Sequence, residues 1–152
     1  MNLRYLCANH RQWLFDNRDR AEKAWLDWME RGRLLIEDGH HSEAIPYLGC
    51  AFDVAGMLLA RQWPSYAVSA QRFSESAASL MEAYREQGDE KLHHYILAGA
   101  SSVLARQLGE RDKNKVAAEC ISALYPDGSG EFMSAVPRGK AATGAETSWR
   151  LH

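Results

Sequence analysis

The sequence is poor in cysteine. Its three cysteines, Cys7, Cys50 and Cys120, stand far apart in 152 residues. An odd number of widely spaced cysteines argues against a disulfide framework. Each one falls within an apolar helical pattern, which predicts small buried side chains in a reducing compartment.

Neither a strong charge bias nor a long apolar run is present. The net charge is −2 and the isoelectric point is near 6.3, whereas a dedicated nucleic-acid-binding domain usually carries a basic face. No run of about 18 apolar residues occurs, and the N-terminus lacks the apolar core of a secretory signal. The sequence therefore predicts a cytoplasmic protein that binds neither nucleic acid nor a membrane.

Signatures of catalysis are missing as well. The sequence contains no G-x-S-x-G elbow, no H-E-x-x-H pair and no glycine-rich loop of the phosphate-binding type. We therefore predict a non-catalytic protein that needs no cofactor.

Two histidine doublets, His40-His41 and His93-His94, keep one alternative open. They would serve as ligands in a metal-binding or enzymatic helical bundle. Zinc needs three or four ligands, and neighbouring helical residues point about 100° apart, so a doublet rarely supplies two ligands to one ion. Histidines that flank turns are the preferred interpretation, and no metal site is predicted.

Helical periodicity, by contrast, is abundant. Apolar residues recur every three or four positions up to about residue 125, which is typical of amphipathic helices. Gly39, Gly88 and the Trp63-Pro64 pair interrupt the pattern, as residues that end helices do. Six helices are predicted, near residues 2–15, 19–38, 42–62, 65–87, 90–108 and 111–125. Residues 126–152 show no sustained periodicity and are predicted to form a flexible tail after an all-α domain at 1–125.

Local details can also be predicted within this pattern. Ser42 is expected to cap the third helix. The first 65 residues hold four tryptophans, which are expected to anchor the core because each buries a large apolar area. The alternative is that one of them is a partly exposed contact for a protein partner. These four tryptophans are Trp13, Trp25, Trp28 and Trp63.

The second and third predicted helices resemble a tetratricopeptide repeat. The resemblance rests on small and apolar residues at the family's positions, with Trp25 or Trp28 in the place of its large aromatic residue: Gly32, Leu35, Gly39, Ala44, Leu48 and Ala51. A weaker match recurs 49 residues later, where Gly88 corresponds to Gly39. The resemblance implies stacked antiparallel helical hairpins of five to six helices, whose purpose is binding.

The resemblance also implies where a partner binds. In such arrays the first helix of each hairpin lines a concave face, so the expected contact residues are Leu26, Met29, Arg33, Glu37, Glu75, Ala78, Glu82 and Glu86. The lysine and asparagine with which some family members hold a terminal carboxylate are absent, because Met29 and Arg33 occupy their places. Arg33 alone remains able to pair with an acidic group.

A protein- or peptide-binding scaffold is therefore the function that the sequence favours. A second alternative, beside the histidine bundle, is a small secretion-type chaperone or regulator, which shares the fold class and differs in its partner. Homodimerisation is a further expectation, because two hairpins leave apolar end faces without a polar capping helix.

Overall fold

The computed structural model describes residues 4–125. Within this range the chain forms six α-helices and no strand, so the predicted all-α class with five to six helices is confirmed. The helices are α1 (Ala8–Phe15), α2 (Arg18–Glu37), α3 (His41–Arg61), α4 (Tyr66–Glu86), α5 (Glu90–Ala105) and α6 (Asn114–Ala123). The predicted tail, 126–152, lies outside the described residues.

Consecutive helices pack against one another. α2 packs on α3, α3 on α4, and α4 on α5, while α6 contacts both α4 and α5. Because the connections after α2 and α4 are short, these pairs form antiparallel hairpins. α1 packs on α2, and α2 also touches α4. The two hairpins thus lie side by side, with α4 in contact with helices from both ends of the domain.

The turns of the two hairpins are equivalent. Gly39 and Gly88 have positive φ values of 82° and 83°, a backbone conformation that glycine adopts at little cost. The N–H of Gly39 donates to the carbonyl of Ile36, and the N–H of Gly88 donates to that of Arg85, at 2.9 Å in both turns. The next N–H group in each turn also donates back into its helix. Both helices therefore end in the same hydrogen-bonded glycine turn.

Small side chains allow α4 to sit at the centre of the fold. Ser69, Ser74 and Ser76 are fully buried, and each hydroxyl donates to a backbone carbonyl, as a buried polar group must. The Ser74 hydroxyl reaches the carbonyl of Cys120 in α6 at 2.8 Å. The Ser76 hydroxyl also accepts a hydrogen bond of 2.6 Å from the indole nitrogen of Trp25 in α2. Buried hydrogen bonds thus connect α4 to both α2 and α6.

α2 and α3 approach each other closely at Gly32. A Cβ atom at that position would lie 2.6 Å from Cγ of Leu48 and closer still to one of its methyl carbons. Leu48 is fully buried, so it has little space to move aside. The two helices can therefore meet at this point only because Gly32 has no side chain.

The N-terminus differs from the expectation. The first helix begins at Ala8 instead of near residue 2, because Tyr5 and Leu6 lie in a non-helical segment that packs on α3. Leu6 is nonetheless buried, which explains why its apolar character looked like part of a helical stripe. Cys7 is exposed, Cys50 is half-buried and Cys120 is buried. The expectation of three buried cysteines is therefore wrong for Cys7.

Two other local expectations need correction. Trp13 is 52% exposed, with the guanidinium of Arg20 stacked 4.1 Å from its ring centroid, so it does not belong to the core. Trp25 is buried as expected, and Trp28 and Trp63 are half-buried against the core. Ser42 does not cap α3, because that helix already begins at His41.

α3 is long and apolar enough to cross a membrane by length and composition, with a mean hydropathy of 1.3 over its most apolar part. Half of that part is buried inside the fold, where α3 packs between α2 and α4. A core helix passes the same test, so the hydropathy of α3 agrees with its central position.

Candidate binding groove

The residues predicted to line a concave face lie in very different environments. Leu26 is 51% exposed, and Glu37, Glu82 and Glu86 are at least partly exposed. Ala78 is half-buried. Met29 is only 2% exposed and belongs to the core, so its side chain cannot reach a partner at the surface.

The two remaining predicted residues bind each other. Arg33 of α2 and Glu75 of α4 form an ion pair, and both side chains are half-buried. Burial lowers the pKa of Arg33, and the nearby carboxylate of Glu37 opposes that shift. A second ion pair, between Arg72 and Glu22, joins the same two helices at 3.0 Å. Arg33 is thus occupied within the protein as part of the contact between α2 and α4.

The histidine doublets lie at or near the N-terminal ends of α3 and α5. His93 places Nδ1 at 3.1 Å from the carbonyl oxygen of Met81, and His94 places its own at 2.9 Å from that of Glu90. His40 lies 3.6 Å from a carboxylate oxygen of Glu43. Among residues 4–125, no three His, Cys, Asp or Glu side chains are arranged to hold a metal ion.

An open groove lies between α3 and α5, and none of the eight predicted residues lines it. It has a volume of about 410 Å³, which is within the usual range for binding sites of small ligands and side chains. We call it the α3–α5 groove and define it by its lining residues: Arg11 and Phe15 from α1; Phe52, Asp53, Gly56, Met57 and Ala60 from α3; Phe73 from α4; and Tyr95, Ile96, Gly99 and Val103 from α5.

The walls of the α3–α5 groove are apolar and partly glycine. Phe73 is buried at its base and stacks on Phe52, with ring centroids 5.2 Å apart. A Cβ atom at Gly56 would meet only the Phe73 ring, at 3.7 Å, and one at Gly99 would meet no atom within 4 Å. The two glycines therefore widen the groove from opposite sides.

The charged groups of the groove are not paired with each other. One carboxylate oxygen of Asp53 accepts two hydrogen bonds, from the backbone N–H of Tyr5 at 2.7 Å and of Leu6 at 2.9 Å. Arg11 is half-buried and forms no ion pair with another of the described residues. A second guanidinium, that of Arg61, lies 4.3 Å from the ring centroid of Phe15. The groove thus contains a guanidinium that forms no ion pair with another described residue, and one oxygen of its carboxylate accepts two backbone N–H groups.

The N-terminal segment, Arg4–Cys7, occupies the next part of the same α3 face. Gly49, Asp53 and Gly56 share this face because steps of four and three residues return a helix nearly to the same direction. The Tyr5 ring covers Gly49 so closely that a Cβ atom there would lie 2.5 Å from Cε1 of the ring. The Tyr5 hydroxyl hydrogen-bonds that of Tyr84 at 2.6 Å. Burial, followed by this hydrogen bond, raises the pKa of Tyr5 far above its usual value.

The α3–α5 groove could not be located from the sequence, although the sequence holds signs of it. Gly56 and Gly99 interrupt apolar helices, and Asp53 is an acidic residue within an otherwise apolar stretch. Glycine inside a helix costs about 0.5–1 kcal/mol relative to alanine, so its presence suggests a local requirement for space.

Comparison with protein-family models, curated proteins and solved structures gave no significant match. The function must therefore be inferred from the geometry of the groove and from the chemistry of its lining residues.

Proposed function

We propose that this protein is a non-catalytic scaffold that binds a segment of another protein in the α3–α5 groove. The observation that carries the proposal is the groove itself, an open apolar cavity of about 410 Å³ with two glycines facing it. Apolar concavities with a few polar groups at the rim are where proteins usually bind their ligands. The stacked helical hairpins, similar to tetratricopeptide units, agree with a binding role.

A protein segment is the favoured ligand because this face of α3 already holds one. The N-terminal segment lies against it through two backbone hydrogen bonds to Asp53 and the packing of the Tyr5 ring on Gly49. The α3–α5 groove continues along the same face at Gly56. A partner's non-helical segment would therefore find a surface of the same kind, with an apolar pocket for a side chain and charged groups beside it.

The face predicted from the sequence is a second possible surface. Exposed Leu26 gives it an apolar contact, and Glu37, Glu82 and Glu86 give it an acidic character. We place it second because Met29 is buried and because Arg33 and Glu75 bind each other.

The test is a selection of random dodecapeptides displayed on phage against the full-length protein, followed by affinity measurement. Gly99→Phe fills the groove from its open side. Its matched control is Ala98→Phe, which adds the same ring at an exposed neighbouring position outside the lining. Leu26→Asp tests the sequence-predicted face. Fluorescence anisotropy of the most enriched peptides gives a dissociation constant for each variant.

We expect Gly99→Phe to weaken binding about 10-fold or more, because a filled cavity removes the burial of roughly one side chain. Ala98→Phe and Leu26→Asp should leave the affinity unchanged. Binding lost in Leu26→Asp but retained in Gly99→Phe would move the site to the predicted face. A selection that enriches no peptide sensitive to Gly99→Phe would contradict binding in the groove.

A further inference from the structure

We propose that the segment bound in the α3–α5 groove carries an aromatic side chain, which enters beside Gly56, and an acidic side chain, which pairs with Arg11. This inference rests on the proposed function and names the chemistry of the partner. Two features support it, the shape of the groove at its glycines and the Arg11 guanidinium, which forms no ion pair with another of residues 4–125.

The aromatic preference follows from the way Tyr5 is held. Its ring covers Gly49, and Gly56 lies two helical turns further along the same face of α3. The space above Gly56 is open, and the Phe52 and Phe73 rings stand at its side. Aromatic rings attract each other in offset or edge-to-face contacts at centroid distances of about 4.5–7 Å. A flat ring is therefore the side chain that best fits between Gly56 and Gly99.

The acidic preference follows from the charges of the lining. Arg11 is half-buried and forms no ion pair with another of residues 4–125. Asp53 forms no ion pair with Arg11, and its Oδ2 atom accepts the N–H groups of Tyr5 and Leu6. Arg61, stacked on Phe15, adds a second positive charge near the groove. A guanidinium and a carboxylate can form two parallel hydrogen bonds, and their attraction is stronger where water is partly excluded.

The experiment uses the phage-displayed dodecapeptide library on the full-length protein, with peptides that Gly99→Phe fails to bind taken forward. Each enriched peptide is synthesised in three forms: unchanged, with its acidic residue changed to the amide, and with its aromatic residue changed to alanine. Their dissociation constants are measured with the wild type, with Arg11→Gln, and with Arg111→Gln. The last variant removes one positive charge at an exposed position outside the groove.

The expected result is a pool of peptides that combine an aromatic and an acidic residue at a fixed spacing. Arg11→Gln should weaken the unchanged peptide about 10-fold, as the loss of a hydrogen bond to a charged group does. It should weaken the amide form by less than about 2-fold, which gives a coupling between the two groups. Changing the aromatic residue to alanine should weaken binding about 10-fold or more. Arg111→Gln should have no effect on either peptide.

Five outcomes would overturn the inference. Groove-dependent peptides that lack the aromatic–acidic pattern, or an equal effect of Arg11→Gln on both peptide forms, would refute the named chemistry and leave the proposed function standing. The absence of any groove-dependent peptide would refute both. If no peptide binds and decanoate displaces a fluorescent apolar dye, the groove binds a fatty acid. If no peptide binds and light scattering shows a dimer that Gly99→Phe dissociates, a second copy of the chain occupies the groove.

Discussion

Replacing Gly32 with alanine should destabilise the protein, although the same change normally stabilises a helix. Glycine inside a helix costs about 0.5–1 kcal/mol relative to alanine. At Gly32, however, the added Cβ would lie 2.6 Å from Cγ of the fully buried Leu48. Overpacking a core by a methyl group costs about 1–3 kcal/mol. The middle values of these two ranges give a net loss of about 1 kcal/mol in the free energy of unfolding, with Tm lowered by about 2–4 °C.

A second glycine provides the matched control. A Cβ atom at Gly99 would meet no atom within 4 Å, so Gly99→Ala keeps only the gain in helix propensity. It should raise the free energy of unfolding by about 0.5–1 kcal/mol. Urea unfolding followed by circular dichroism at 222 nm measures both variants. The midpoints should move in opposite directions with unchanged slopes.

A double-mutant cycle tests the stated cause. Leu48→Ala removes the atoms that the new methyl group would strike, at a cost of about 2–5 kcal/mol for the cavity. In that background Gly32→Ala should be neutral or stabilising, which gives a coupling energy of about 1–3 kcal/mol. The reasoning fails if Gly32→Ala stabilises the wild type as much as Gly99→Ala does. It also fails if the cost of Gly32→Ala is the same with and without the Leu48 side chain.

Two further predictions concern ionisable groups. The pKa of Tyr5 is raised in the folded protein, so its contribution to stability is complete below about pH 10 and is lost as the pH rises further. Urea unfolding between pH 8 and 11 should show that the wild type loses up to about 1.4 kcal/mol more than Tyr5→Phe; parallel curves would contradict this. Burial raises the pKa of Cys50 to about 11 and that of Cys120 to about 12, whereas Cys7 is exposed. Ellman's reagent at pH 8 should therefore label native Cys7 within minutes and the other two cysteines far more slowly until the protein unfolds; rapid native labelling of a Cys7→Ser variant would contradict the raised pKa values of Cys50 and Cys120.

The sequence predicted the central hairpins well because their limits are set locally. The expected ranges of 19–38 and 42–62 compare with observed helices at Arg18–Glu37 and His41–Arg61. Gly39 and Pro64 end these helices through backbone conformation alone, which does not depend on the rest of the chain. Helix existence and approximate limits could therefore be obtained without knowledge of the tertiary contacts.

The N-terminus and the site depend on contacts between distant residues. Leu3 and Leu6 continue the helical spacing of the first helix, yet Asp53, far along the chain, holds Leu6 in a non-helical segment. The exposure of Trp13 and the pairing of Arg33 with Glu75 likewise depend on how helices pack. The α3–α5 groove arises from the space left between two helices, and periodicity along one helix does not specify that space.

The central position of α4 has a consequence for the synthesis of the protein. The hairpin of α2 and α3 leaves the ribosome before α4, so the apolar surface that α3 buries against α4 is uncovered while residues Gln62 to Glu86 follow it out of the ribosome. At about 5–20 residues per second this interval lasts roughly 1–5 s. The nascent chain is then most exposed to aggregation and to capture by chaperones, and the arrival of α4 ends that interval because the same helix covers α3 and receives α5 and α6.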